Sequence, residues 1–122
     1  MLPRIVYRMC VGGALIVGSR ALVLSGALSE KDANPKDYDL LVPYEKWQHV
    51  STLIPENATL NKFGGWRFET LNHDGELVEV DVWPSTIVTY LQECKSKHSV
   101  PVCVVDYIAN RVYTSKIMEL KE

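Results

Sequence analysis

The sequence predicts an α/β (α+β) domain with a mixed β-sheet and helices packed mainly on one face. Three observations lead there. Ala14-Leu15-Ile16-Val17-Gly18-Ser19 runs from an apolar strand into a turn and then a helix. Asp37-Tyr38-Asp39-Leu40-Leu41-Val42 begins with alternating acidic and aromatic residues and ends apolar, as a strand does. Leu77-Val78-Glu79-Val80-Asp81-Val82-Trp83 alternates again, after the hairpin signal Asn72-His73-Asp74-Gly75.

Taken in order, the apolar run of residues 11–17 reads as the central strand. Arg4 and Arg8 before it give a superficial likeness to a signal peptide, but Arg20 interrupts the run too early for a membrane span. Leu22, Leu24 and Leu28 suit a buried helix after Gly18-Ser19. Residues 44–53, between Pro43 and Pro55, read as a short helix. Residues 66–71 and 76–83 read as a hairpin. Pro84-Ser85 is expected to open a helix reaching about residue 97, with Ser85 as N-cap. Residues 100–105 read as a short strand, and Asp106 as the cap of a final helix reaching toward Lys121.

A chain of 122 residues with 47% hydrophobic content supports one domain, residues 1–122, with its own core. The net charge of −2 and the lack of a basic block argue against electrostatic capture of bulk nucleic acid. Arg20, Lys31 and Lys36 form only a small basic cluster. Cys10, Cys94 and Cys103 are odd in number and irregularly spaced, which fits a reduced, cytoplasmic setting. Cys94, His98 and Cys103 lack the paired spacing of a zinc site. His49, His73 and His98 read as surface or turn residues, and Trp47, Trp66 and Trp83 as core.

The chemistry concentrates in the carboxylates. Residues two apart on a strand share a face, so Asp37 with Asp39, and Glu79 with Asp81, form two acidic pairs, while Tyr38 points to the core. Paired carboxylates repel and lose hydration when buried, and a hard cation relieves both costs. If the two strands are neighbours, the pairs converge into a cluster suited to metal ions and phosphate chemistry. The turn at Gly18-Ser19 opens a helix whose free N–H groups suit an anion. Two other glycine motifs fail: Ser19-Arg20 stands where a P-loop needs Lys-Ser/Thr, and no Gly-x-Gly-x-x-Gly occurs.

Val17-Gly18-Ser19, then Asp37-Tyr38-Asp39-Leu40, then Asp81 in Val80-Asp81-Val82 resembles the signature of the nucleotidyltransferase superfamily in its minimal, DNA polymerase beta-like form. The long polar stretch of residues 29–36 between the first two elements is similar to the toxin–antitoxin-type branch. The resemblance spans residues 11–83. It implies that Gly18 and Ser19 hold a nucleoside triphosphate such as ATP, with Arg20 and Lys36 as nearby cations. It implies further that Asp37, Asp39 and Asp81 bind Mg2+ and carry catalysis, with Asp81 helping to activate the attacking hydroxyl. The expected function is Mg2+-dependent transfer of a nucleotide to a hydroxyl of a protein, a nucleic acid such as RNA, or a small molecule. The chain leaves little room for an acceptor-binding domain, so the acceptor would be met on a partner, in a homo-oligomer or in an open cleft, with no membrane involved. The alternatives are a non-catalytic binding protein of this fold, antitoxin-like or inhibiting a partner protein, and a structural α/β domain.

Overall fold

The computed structural model describes residues 2–24, 26, 37–86, 99–106 and 111–119, the last two spans by their backbone. The chain begins with helix α1 (Arg4–Val11), whose Val6, Tyr7, Met9 and Cys10 turn inward while Arg4 and Arg8 face outward. α1 ends at Gly12-Gly13. Gly13, at φ 118°, takes the left-handed conformation that glycine tolerates, and the Ala14 N–H donates back to the Met9 carbonyl at 3.0 Å. The apolar run expected as one strand is therefore split. Val11 ends a helix, Gly12 and Gly13 form a turn, and only β1 (Leu15–Val17) is extended. Helix α2 (Gly18–Leu24) follows directly. Strand β2 (Asp37–Pro43) leads into helix α3 (Tyr44–Ser51), and β3 (Thr59–Leu60) precedes the hairpin of β4 (Trp66–Leu71) and β5 (Leu77–Ser85).

Strands β6 (Ser99–Asp106) and β7 (Arg111–Glu119) close the described chain. β7 corrects the expected final helix. Val112, Tyr113, Thr114 and Ile117 favour extended backbone, and the segment pairs antiparallel with β6 from Asp106↔Arg111 to Ser99↔Glu119. Pro84 and Ser85 also depart from expectation: they continue β5 and pair with Val42 and Pro43, so Ser85 is not a helix cap. The rest of the helix expected there, His98 and Cys94 lie outside the described residues, as do the side chain of Cys103 and residues 29–36.

The seven strands form one mixed sheet in the order β3-β4-β5-β2-β1-β6-β7. The parallel pairs are β2–β5 and β1–β6. The central position belongs to β2, with β1 as its interior neighbour. On one face Ile16, Tyr38, Leu40, Val42, Phe68, Val78, Val80 and Val82 build a core with Val6, Met9 and Cys10 of α1, Ala21 of α2 and Val50 of α3. Trp47 and Trp66 pack against its rim. The described helices thus cover a single face. No helix among the described residues is long and apolar enough to cross a membrane.

Candidate functional site

The other face of the sheet is ordered in rows by strand register. One row is apolar: Leu15, Leu41 and Trp83 lie side by side on β1, β2 and β5. The next runs Val17, Asp39, Asp81, Arg67 across β1, β2, β5 and β4. The third is acidic throughout, with Asp37, Glu79 and Glu69 on β2, β5 and β4. Parallel pairing of β2 with β5 sets Asp37 opposite Glu79 and Asp39 opposite Asp81, so the two acidic pairs share one face and one end of their strands. Tyr38, between the aspartates, points the other way and is 3% exposed.

Asp81 is buried, at 3% exposure, and both oxygens of its carboxylate accept hydrogen bonds. Arg67 donates to Oδ2 from Nε at 3.2 Å and from Nη2 at 3.0 Å. Asn61 donates from Nδ2 to Oδ1 at 3.1 Å. A buried carboxylate without such donors would carry a large desolvation cost. Arg67 also reaches Glu79, with Nη2 3.7 Å from Oε2. The bond to Asp81 is the main reason its guanidinium holds its proton more tightly than usual.

Asn61 is itself pinned by the turn it belongs to. Its Nδ2 donates to the Trp66 carbonyl at 3.0 Å, and its Oδ1 accepts from the Phe63 and Gly65 N–H groups at 3.0 and 2.8 Å. Gly65 is close against Trp83: a Cβ there would lie 2.6 Å from the Trp83 Cα. Phe63 then covers the Trp83 ring, with centroids 4.7 Å apart. The result is a recess of about 280 Å³ bounded by Leu60, Lys62, Phe63, Arg67 and Asp81. A second recess of about 340 Å³ lies at the acidic row, beside Asp37, Glu69 and Glu79.

Asp39 differs from its neighbour. Its pKa is raised from 3.8 to about 6, first by burial, then by the charges of Asp81 and Asp37, with Arg67 opposing. Close contact from Gly18 adds to the crowding. Gly18 opens α2 at φ 71°, and a Cβ at that position would fall 3.1 Å from the Asp39 Cγ and closer still to Oδ2. The Gly-Ser turn is thus brought against the aspartate pair, with Ser19 half-buried in the first turn of α2.

Gly18, at the start of α2 with Ser19 after it, touches Asp39; of the other expected site residues, Asp37, Asp39 and Asp81 lie on this face of the sheet. Arg20 does not: its guanidinium carbon sits 4.4 Å from the centre of the Tyr38 ring, on the helix-covered face. Two residues beyond Gly18 is more than half a helical turn, which carries Arg20 round to the core side. Lys36 lies outside the described residues.

The donor chemistry fits a divalent cation at Asp37 and Asp39, which are acidic, adjacent on one face and short of positive charge. Asp81 stands beside Asp39 as expected, with Oδ2 held by Arg67 and Oδ1 accepting one bond from Asn61, so a cation there would share its oxygens with those donors. Among the described residues, no three of His, Cys, Asp or Glu are grouped closely enough to hold a metal ion. Sequence reasoning missed Asn61 and Arg67. Compared with family models, with curated proteins and with solved structures, the chain matches none.

Proposed function

We propose that the acidic face is the site of a Mg2+-dependent nucleotidyltransferase, moving a nucleotide from a nucleoside triphosphate to a hydroxyl. The observation that carries this reading is the contact between Gly18 and the Asp39 carboxylate, which joins the Gly-Ser turn to the aspartate pair. In the reaction the hydroxyl oxygen bonds to the α-phosphorus, the bond to pyrophosphate breaks, and the hydroxyl proton passes to solvent water. A bound divalent cation would supply charge neutralisation at the phosphates. Asp37 and Asp39 would hold it. Ser19, next to Gly18 at the start of α2, would offer its hydroxyl to the triphosphate. Asp81, tied to Arg67 and Asn61, acts here as a positioning residue that fixes the row in which Asp39 stands.

That same engagement of Asp81 favours a second reading. A site whose third carboxylate is paired with arginine suits a non-catalytic protein of this architecture that acts by binding a partner. The two readings part on one experiment. Incubation with Mg2+ and a labelled triphosphate yields labelled acceptor or pyrophosphate if the first is right, and Asp37→Ala abolishes it. A protein that binds neither Mg2+ nor triphosphate at millimolar concentration, yet captures a partner equally well with Asp37 and Asp39 replaced, sinks the first.

A further inference from the structure

On the far side of the molecule from the carboxylates, α1 and α3 flank an open-mouthed cavity of about 400 Å³. Its charged lining comes from Arg4 and Arg8, with the His49 imidazole beside them, and its apolar lining from Tyr7, Val11 and Leu53. Arg4 and Arg8 stand one helical turn apart on α1, which carries no acidic residue. His49 reaches the cavity from α3 and packs so tightly on Gly12 that a Cβ there would lie 3.0 Å from its Cδ2. Lys46 lies over Gly13, where a Cβ would lie 2.7 Å from its Cγ. Glu45 is the one acid of α3. Arg4, Arg8 and Lys46 thus put positive charge on this side of the molecule, opposite a face that bears five carboxylates and Arg67.

From this charge and shape we infer that the cavity between α1 and α3 binds a small organic phosphate: a phosphate monoester on an apolar or aromatic body. A phosphate monoester carries about −1.5 to −2 charges at neutral pH, which matches the guanidinium of Arg8 with its neighbours. Guanidinium groups bind phosphate oxygens in a fork. The volume is that of a small-molecule pocket, about 300–1,000 Å³. The apolar side chains of Val11 (62% exposed) and Leu53 offer a surface for the body of the ligand. Neither the carboxylates nor a metal takes part, so the inference stands apart from nucleotidyl transfer.

Phenyl phosphate, titrated into the whole protein in EDTA, tests it. Saturable binding is expected, with shifts of the Val11, Gly12 and Leu53 amide resonances, and with phenol and inorganic phosphate each about tenfold or more weaker. Arg8→Gln, at an exposed helical position, should weaken binding by about tenfold. Gly12→Ala, at φ −76° where alanine is at ease, should weaken it by displacing His49. Asp39→Asn should leave it unchanged. Binding that is absent at millimolar ligand, that survives both Arg8→Gln and Gly12→Ala, or that is lost with Asp39→Asn overturns the inference. Inorganic phosphate binding as tightly as phenyl phosphate overturns the ligand class.

Discussion

Arg67 grips one oxygen of Asp81 with two N–H donors, at 3.2 and 3.0 Å, so of the two aspartates paired across β2 and β5 only Asp81 has its charge met by a bonded cation among the described residues. Asp39 is left as the carboxylate whose ionisation the fold resists.

The pH dependence of stability follows. Asp39 has a folded pKa of about 6 against 3.8, so the folded state binds the extra proton between those values. Its ionisation therefore costs stability as pH rises through that window, fully above about 6, and costs nothing below 3.8. Discounted for solvent screening, the cost is on the order of 1–2 kcal/mol. Asp39→Asn should thus be more stable than the parent at pH 7.5 and indistinguishable from it near pH 4, by urea unfolding at both values. Equal stability at pH 7.5 would remove the crowded-carboxylate account.

Replacing Arg67 strands the buried Asp81. Since Arg67 is half exposed and Asn61 remains, Arg67→Gln should cost about 2 kcal/mol, less than the ~3–5 kcal/mol of a fully buried pair. It should also push the Asp39 titration above its parent value, because Arg67 lowers it. NMR titration of the Asp39 side chain measures that shift; a shift downward contradicts the row of charges described.

Gly18 carries two constraints, a positive φ and the Asp39 carboxylate. Gly18→Ala should cost about 1–2 kcal/mol for the backbone alone, and more for the contact. Asp39→Ala removes the carboxylate from the contact, keeping its Cβ, and leaves the backbone cost. The double variant should therefore be less destabilised than the sum of the two single changes, in a thermal-unfolding cycle. Additive effects would mean that the two residues do not touch.

Asn61→Ala removes two donors and an acceptor from the 61–65 turn and leaves Asp81 Oδ1 unpaired. A loss of about 2–3 kcal/mol is expected, since orphaned buried polar groups cost about 1–3 kcal/mol each. With the turn loosened, Phe63 leaves Trp83, and the tryptophan fluorescence should shift to the red. Unchanged emission would show that Asn61 does not hold Phe63 in place.

Arg67 was within reach of the sequence. The Asn72–Gly75 turn makes Leu71 and Leu77 partners, and counting four residues back and four on sets Arg67 against Asp81. The count needs the turn's closing pair, and that pair depends on the Asn72 N–H bonding to the Glu76 carbonyl at 2.8 Å. Asn61 offered no comparable signal, because its four partners lie in a loop and on two strands.

The sequence by itself determined which residues share a face. Alternation in 37–42 and 77–83 separated Tyr38, Val78, Val80 and Val82 from Asp37, Asp39, Glu79 and Asp81, because side-chain direction in a strand is a local property of the backbone. It also determined the glycine turn ahead of the first aspartate pair and the hairpin. Only the tertiary structure decided that β2 and β5 run parallel in the register that sets Asp39 beside Asp81, that Gly18 presses on Asp39 while Arg20 turns to Tyr38, and that residues 111–119 form a strand. Each of those depends on contacts between segments far apart in the chain. There β6 gave Val112 and Ile117 a partner that no helix could match, and local pattern carries no record of which partner will be present.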